Sequence, residues 1–270
     1  MKTRLSLILP LLLSLAACSG AQAPPPAAQD TAAPVETQDA APAAQADADT
    51  APEATDAAEA GAGEAGEAAP LAPRPPSGPA PVAGVDYVEI ANGQPFQPAA
   101  GKIEVAEVFG YTCPHCAQFE PVLNAWKRRQ PADVEVIAVP AAFGGFWTPY
   151  ARAFYTAEAL GVLAQSHDAM FAAIHLQRSL PVNPNVGAEQ LAPFYARYGV
   201  DAKRFADTFN SFGVDAKINR ARQFASKSKI EGTPSLVVAG KYTITVDQQG
   251  FDKMLNTAEW LIAQERGGTR

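Results

Sequence analysis

Two cysteines separated by two residues occupy a predicted junction between a strand and a helix, in the sequence Cys113-Pro114-His115-Cys116. The apolar segment 102–109 precedes them and predicts a strand, and apolar residues at helical spacing follow them. The chain has three cysteines, and the remaining one, Cys18, lies near the N-terminus. A Cys-x-x-Cys pair at such a junction is typical of reversible thiol–disulfide exchange.

The position of Cys113 at the start of the helix predicts an acidic thiol. Unpaired backbone N–H groups and the positive end of the helix dipole favour the thiolate there. Pro114 suits the first turn, because its missing N–H would have no partner in any case, and His115 adds a donor or a positive charge. Cys116, one turn deeper, is expected to be more shielded. Stabilising the thiolate favours the reduced pair, which makes the disulfide a stronger oxidant.

Two other roles for the cysteine pair are disfavoured by the sequence. A static disulfide across so short a loop would contribute little stability. A zinc site would need two more ligands, and the other histidine candidates are His167 and His175, eight residues apart in a predicted helical region. We therefore expect no metal, and we interpret both histidines as surface or hydrogen-bonded helix residues.

The N-terminus has the pattern of an export signal. Two basic residues precede a mostly apolar run that is too short to be a typical membrane-spanning helix. The run ends in Leu15-Ala16-Ala17-Cys18, which resembles a bacterial lipobox, whose cysteine is lipidated. We therefore predict a lipoprotein signal peptide over 1–18, with lipidation of Cys18. Cleavage after Ala23 is the alternative, because Ala21-Gln22-Ala23 fits the small-x-small pattern of a cleavage site.

The segment 19–85 predicts a disordered, acidic linker rich in alanine and proline. Frequent prolines interrupt any helix, and there is no aromatic residue or apolar stripe to form a core. The chain has a net charge of −7, and the acidic excess lies before residue 86, while the rest is balanced and lacks a basic block. Nucleic acid is therefore not an expected partner.

The remainder of the chain predicts an α/β fold. Segments 86–90, 102–109 and 133–140 are predicted strands, and a predicted helix over 113–130 joins the last two, which should therefore be parallel. Pro121 is expected to kink that helix.

A block of helices interrupts the strands. It is predicted at 150–160, 162–175, 188–198, 202–212 and 214–230, and Thr148 and Pro149 are the expected N-cap and first residue of its first helix. A hairpin of strands 234–239 and 242–246 and a helix over 251–265 follow. This order predicts a domain in two parts, 86–143 and 231–270, with a helical insertion over 144–230.

Glu107 is an unusual residue for its position in the strand over 102–109. Side chains alternate between the two faces of a strand, and both faces are apolar around Glu107. A carboxyl group buried there has a raised pKa unless it is partnered. Because it lies six residues before Cys113, we expect Glu107 to exchange protons with the thiols. The alternative is a glutamate at a solvated strand edge.

Thr233 and Pro234, directly before a predicted strand, complete a set of motifs. A strand, a Cys-x-x-Cys helix, a second strand, then a Thr-Pro pair before a hairpin and a terminal helix resemble the thioredoxin fold. The Pro-His pair between the cysteines, the helical insertion and Glu107 resemble DsbA-type thiol:disulfide interchange proteins. The resemblance covers residues 86–270.

That resemblance implies roles for further residues. Pro234 would be a cis-proline facing the disulfide, positioning the backbone of a substrate chain beside Cys113, and Thr233 would make the adjacent backbone contact. Glu120 resembles an acid of the family that often faces a lysine on the third strand, but 136–140 contains no lysine. Pro121 is another departure, because it is more like thioredoxin itself.

The resemblance also implies an activity. We expect an exported, periplasmic oxidase, monomeric and without a cofactor, which is anchored to a membrane through lipidated Cys18. It would donate the disulfide between Cys113 and Cys116 to newly exported proteins with free thiols, and a membrane quinone-linked enzyme of the DsbB type would reoxidise it.

Two alternatives to the oxidase remain. A disulfide isomerase or reductase is the alternative among enzymes, although 19–85 offers no dimerisation module of the kind that known isomerases carry. A redox-silent peptide-binding lipoprotein or chaperone is the alternative from another class, and the two intact cysteines argue against it.

Overall fold

The computed structural model describes residues 72–73, 75–247 and 250–268. The predicted signal peptide over 1–18, with Cys18, and the predicted linker up to residue 71 lie outside the described residues. Within the described part of the chain, no helix is both long enough and apolar enough to cross a membrane.

A mixed sheet forms the centre of the fold. Its strands are β1 (Val88–Glu89), β2 (Ile103–Phe109), β3 (Val134–Pro140), β4 (Ser235–Val238) and β5 (Tyr242–Thr245). They are arranged in the order β1-β5-β4-β2-β3. β2 and β3 are parallel, as predicted, whereas β2–β4, β4–β5 and β1–β5 are antiparallel. β2 is therefore internal to the sheet, which places the residues that follow it at the middle of one sheet end.

One face of the sheet is covered by α1 (Pro114–Lys127) and α7 (Gly250–Gly268). Val105 of β2 packs there against Phe119 and Trp126 of α1 and Leu261 of α7. The apolar spacing that predicted α1 is the spacing of the residues it buries. This packing holds α1 against the sheet, and its first residue, Pro114, directly follows Cys113.

The opposite face carries the helical insertion. It contains α2 (Trp147–Ala159), α3 (Leu163–Phe171), a π-helical turn (Ala172–Leu176), α4 (Ala188–Ala196), α5 (Ala202–Phe209) and α6 (Phe212–Lys227). Ala106 and Val108, which alternate with Val105 along β2, pack into this second core with Phe154 and Phe171. The predicted thioredoxin-like architecture with an inserted helical block is confirmed.

Two predicted helix starts were wrong. α2 begins at Trp147 after Phe146, so Thr148 is not its N-cap. The indole of Trp147 packs against Gly110, and the N-cap residue Phe146 makes no side-chain capping hydrogen bond. α6 begins at Phe212, which the sequence pattern places in the preceding helix, because the Ser211 side chain accepts a hydrogen bond from the Val214 N–H at 3.3 Å.

The predicted first strand, 86–90, was too long. It is reduced to Val88 and Glu89, since only these two residues pair with β5. The helix predicted over 162–175 changes to a π-helical turn after Phe171, a change of hydrogen-bond pattern that apolar spacing does not reveal.

Candidate active site

The two cysteines of the motif lie where β2 meets α1. Cys113 has extended backbone angles and immediately precedes the first residue of α1. It is 8% exposed, whereas Cys116 is completely buried. Both are free thiols. The prediction that Cys116 is the more shielded of the two is therefore confirmed.

The two thiols differ strongly in acidity. The pKa of Cys113 is lowered to about 5, chiefly by the hydrogen bond from the Cys116 thiol, while burial opposes this effect. The nearby Thr233 side chain and the backbone N–H groups of Cys116 and His115 also contribute to the lowering. The side chain of His115 is exposed, so the contribution of this residue comes from its backbone. Burial raises the pKa of Cys116, and the hydrogen bond between its thiol and Cys113 adds to the rise.

The segment before β4 lies against Cys113. The peptide bond between Thr233 and Pro234 is cis, which confirms the geometry that the resemblance implied. The Sγ atom of Cys113 is 3.4 Å from the carbonyl oxygen of Thr233. The Thr233 hydroxyl is buried and has no hydrogen-bond partner among the described residues. The Thr233 carbonyl oxygen therefore accepts from the Cys113 thiol, and the Thr233 hydroxyl is left as an unused donor next to it.

Glu107 is buried beneath the cysteines. It is 1% exposed, and its Oε1 atom has no hydrogen-bond partner within the described part of the chain. Burial raises the pKa of Glu107 well above its ordinary value, the Glu120 carboxyl adds to the rise, and Lys127 opposes it. The alternative of a solvated strand edge is thus wrong, because β3 and β4 flank β2 and helices cover both of its faces.

A histidine of the insertion lies beside Glu120, which the third strand does not face with a lysine. The Nε2 atom of His167 is 3.5 Å from Glu120 Oε1. The side chain of Asn124 donates a hydrogen bond to the same oxygen at 3.1 Å. Sequence reasoning missed this contact, because nothing in the local pattern of α3 indicates which side chain of α1 it meets.

Both histidines of the insertion hold Tyr111, two residues before Cys113. The Tyr111 hydroxyl is 2.7 Å from Nδ1 of His167, and Nε2 of His175 is 2.7 Å from the Tyr111 carbonyl oxygen. The interpretation of both histidines as hydrogen-bonded helix residues is confirmed. Among the described residues, Glu120, His167 and Asp168 place donor atoms within 4.8 Å of one another, a spacing that a divalent ion could use.

An apolar groove begins beside Pro114. It has a volume of about 510 Å³ and runs between α1 and the π-helical turn. Its walls include Pro114, Ala117, Pro121, Phe171 and Leu176, and Leu176 is 81% exposed. An extended polypeptide whose cysteine reached Cys113 would find apolar surface here for a neighbouring side chain.

Comparisons with known proteins identify the family. A family model described as Thioredoxin matches residues 97–257. The Thiol:disulfide interchange protein DsbA of Pseudomonas aeruginosa is 39% identical over 190 residues, which are 70% of this chain and 87% of that protein. The DsbA of Azotobacter vinelandii is 42% identical over 185 residues, covering 68% of this chain and 84% of the relative. This chain belongs to the DsbA family.

Solved DsbA structures show the same fold. The oxidoreductase DsbA from Xylella fastidiosa superposes with a TM-score of 0.67 and 51% identity, covering 69% of this chain and 98% of that one. The DsbA structure from Pseudomonas aeruginosa gives a TM-score of 0.63 at 38% identity, covering 70% and 96%. The sequence-based interpretation of the chain as a thiol:disulfide oxidoreductase of this family is confirmed. The matched segment 97–257 contains every candidate site residue from Glu107 to Pro234.

Proposed function

We propose that this DsbA-family protein is a dithiol oxidase, which transfers the disulfide between Cys113 and Cys116 to thiols of newly exported proteins. The observation that carries the proposal is the opposite displacement of the two thiol pKa values, to about 5 for Cys113 and upward for Cys116. A stabilised Cys113 thiolate favours the reduced form, so the disulfide gives up its oxidising equivalents readily.

The transfer takes place in two displacements. A substrate thiolate attacks the sulfur of Cys113, and the bond between Cys113 and Cys116 breaks, so that Cys116 leaves as a thiolate and takes up a proton. A second substrate thiolate then attacks the substrate sulfur of the mixed disulfide, and Cys113 leaves as a thiolate. The substrate loses two electrons, and the protein gains them as one thiolate and one thiol.

Glu107 is the proposed proton donor and acceptor for Cys116. The Cys116 thiolate is disfavoured by its burial, so its release needs a proton from a nearby group. Glu107 holds its proton to a higher pH than an exposed glutamate does, the charge of Cys113 contributes to that rise, and the charge of Glu107 in turn raises the pKa of Cys116. A carboxyl group whose pKa is raised in this way is better suited to exchange protons with a thiol than an exposed glutamate is.

Thr233 and Pro234 are the proposed binding residues for the substrate backbone. The carbonyl oxygen of Thr233 lies beside Cys113, where an extended substrate segment would pair with it. The groove next to Pro114 would receive a flanking apolar side chain. His115 is exposed and lies between the cysteines, so it would face the incoming chain.

The family and the predicted signal peptide support a proposed cellular setting. We place the protein in the periplasm as a monomer without a cofactor, held at a membrane by lipidated Cys18. A quinone-linked membrane enzyme of the DsbB type is the proposed partner that restores the disulfide. Radiolabelled palmitate incorporation that is lost in Cys18→Ala would support the anchor, and cleavage after Ala23 in the wild type would contradict it.

The reduction potential of the pair tests the oxidase proposal. The purified 72–270 segment would be equilibrated with glutathione buffers, with the full chain measured in parallel. We expect a potential well above that of thioredoxin, which is about −270 mV. A value near thioredoxin's would support a reductase and would refute the oxidase.

Two cysteine variants separate the oxidase from a redox-silent peptide binder. Cys113→Ser should abolish oxidation of a dithiol peptide. Cys116→Ser, given a disulfide-bonded peptide dimer, should attack it through Cys113, release one peptide as a thiol and accumulate a mixed disulfide with the other that is visible on a non-reducing gel. A redox-silent binder or chaperone would keep its full affinity for the peptide in both variants.

A further inference from the structure

Three side chains that can bind a metal ion converge where the insertion meets α1. Glu120 comes from α1, and His167 and Asp168 are consecutive residues of α3. One donor atom from each of them lies within 4.8 Å of the other two. The expectation of no metal concerned ligands around Cys113 and Cys116, whereas this cluster uses neither cysteine.

The carboxyl group of Glu120 has an oxygen atom that the protein does not use. Its Oε1 atom accepts a hydrogen bond from the Asn124 side chain at 3.1 Å and lies 3.5 Å from Nε2 of His167. Glu120 is only 6% exposed, and its Oε2 atom is buried without a hydrogen-bond partner in the described part of the chain. A buried carboxylate oxygen without a partner is costly. The contact with His167 leaves this cost in place, and a cation bound to the carboxylate would remove it.

The imidazole of His167 is held in the orientation of a metal ligand. Its Nδ1 atom is 2.7 Å from the Tyr111 hydroxyl, and the rings of Phe109 and Phe171 pack against it with centroids 5.1 and 5.5 Å away. When Nδ1 carries the proton and donates it to the Tyr111 oxygen, Nε2 has a free lone pair on the side of Glu120. Histidines that bind metal ions are usually held through their other ring nitrogen in this way.

The side chain of Asn124 connects the two carboxylates of the cluster. It donates hydrogen bonds to Glu120 at 3.1 Å and to Asp168 at 3.3 Å. Two carboxylates held close together repel each other unless a positive charge lies near both of them. All four side chains line one cavity of about 710 Å³, and Asp168 is exposed. An ion would therefore have both a path from solvent and room for water in its remaining coordination positions.

We propose that Glu120, His167 and Asp168 bind a divalent transition-metal ion such as Zn²⁺, which links α1 to the helical insertion. One imidazole and two carboxylates are ligands that zinc accepts, with water completing the coordination. Mg²⁺ and Ca²⁺ prefer oxygen ligands alone and should bind weakly here. The inference goes beyond the proposed function, because no step of disulfide exchange uses the ion.

Calorimetric titration of the full chain with Zn²⁺ tests the site. Cys113 and Cys116 would first be oxidised to the disulfide, because free thiolates also bind zinc. We expect a binding site that is lost in His167→Phe and about tenfold or more weaker in Asp168→Asn. Phe keeps an aromatic ring in the place of the imidazole, and Asp168 is exposed, so both variants should fold.

Two further substitutions are matched controls. His175 is the other histidine of the insertion, and its Nε2 atom is 2.7 Å from the Tyr111 carbonyl oxygen. Asp207 is an exposed carboxylate of α5 that is paired with Lys203. His175→Phe and Asp207→Asn should keep the wild-type affinity for Zn²⁺. Any binding at Cys18 or along the acidic N-terminal segment would be common to all the variants.

Thermal unfolding and NMR give readouts besides affinity. Zn²⁺ at about 100 times its dissociation constant should raise the unfolding midpoint of the oxidised protein by about 5 °C or more. Mg²⁺ at the same concentration should leave the midpoint unchanged. In ¹⁵N spectra of the imidazole rings, Zn²⁺ should shift the Nε2 resonance of His167 and leave those of His115 and His175 in place.

The outcomes decide between a metal site and an ion pair alone. If Zn²⁺ binds the wild type no more tightly than it binds both His167→Phe and Asp168→Asn, the proposed site is wrong. An equal loss of affinity in His175→Phe would also overturn it, because the binding would then not depend on this cluster. Neither result bears on the oxidase proposal, which the reduction potential tests, so the two proposals can fail separately.

Discussion

The sulfur of Cys113 lies 3.4 Å from the carbonyl oxygen of Thr233, although the two residues are 120 positions apart in the chain. The sheet brings them together, because β2 and β4 are antiparallel neighbours and Val108 pairs with Ser235. The residues that follow β2 and those that precede β4 must therefore meet at one sheet end. The redox centre and the proposed substrate-binding segment share this edge, whatever the length of the insertion between them.

The acidity of Cys113 predicts how the reduction potential depends on pH. Between pH 5 and the ordinary thiol pKa of about 8.5, the reduced protein carries a Cys113 thiolate and a protonated Cys116. Reduction then consumes two electrons and one proton, so the potential should fall by about 30 mV per pH unit. The measurement is a series of redox equilibrations between pH 5.5 and pH 8.

The unfolded protein is the control for this slope. In denaturant both thiols regain ordinary pKa values, reduction consumes two protons at pH 7, and the slope should approach about 59 mV per pH unit. The same slope in the folded protein would contradict an acidic Cys113. The lowered pKa of Cys113 also affects the stability of the reduced protein. It stabilises the reduced fold fully above about pH 8.5 and progressively less as the pH falls toward 5.

Replacing Glu107 by Gln should stabilise the fold and slow the reaction. The raised pKa of Glu107 means that stability is lost as the pH rises from the unfolded value of about 4.3 through the folded value. Gln removes this loss, so the free energy of unfolding should rise by about 1–2 kcal/mol at pH 7 and change little at pH 4. Oxidation of a dithiol peptide should slow by about tenfold or more.

Glu104→Gln is the matched control on the same strand. Glu104 is also buried and its pKa is raised by that burial. Its two oxygens, however, accept hydrogen bonds from the N–H groups of Phe96 at 2.6 Å and Gln97 at 2.5 Å. A Gln there would turn an amide N–H₂ group toward one of these donors, which should destabilise the fold by about 1–3 kcal/mol. Chemical unfolding would measure the free energy of unfolding of both variants. A change in the same direction in Glu107→Gln and Glu104→Gln would contradict this difference.

The sequence predicted the parts of the site that depend on local pattern. The apolar run of β2 and the helical spacing after Cys116 located the redox pair, and strand alternation indicated that Glu107 is buried. Resemblance, not periodicity, supplied the cis geometry at Pro234. These features needed only the sheet and the first helix, whose patterns are strong.

The contacts made by the insertion could not be predicted in this way. His167 meets Glu120 because α3 crosses α1 at a particular place, and no residue pattern within α3 specifies that place. The sequence pattern predicts a helix over 202–212, whereas Ser211 caps the following helix, α6, which begins at Phe212. Thr148 is the expected cap of α2, whereas that helix begins one residue earlier, at Trp147.

Gly110 keeps the loop before Cys113 in contact with the insertion. It is buried, its carbonyl oxygen accepts the Cys113 N–H at 3.0 Å, and a Cβ atom there would lie inside contact distance of the Trp147 ring. Gly110→Ala should therefore push Trp147 away and lower the free energy of unfolding by about 1–3 kcal/mol. Dithiol oxidation should fall as well, because the displaced loop carries Cys113.

A second glycine near the site shows whether the effect comes from the clash. Gly232 lies two residues before Pro234, and a Cβ atom there would have no neighbour within 4 Å, so Gly232→Ala should change stability by less than about 0.5 kcal/mol. Adding Trp147→Leu to Gly110→Ala should recover part of the lost stability, because the smaller side chain leaves room for the new methyl group. If the double variant were as unstable as the sum of the two single changes, the close approach of Gly110 and Trp147 would not be the cause.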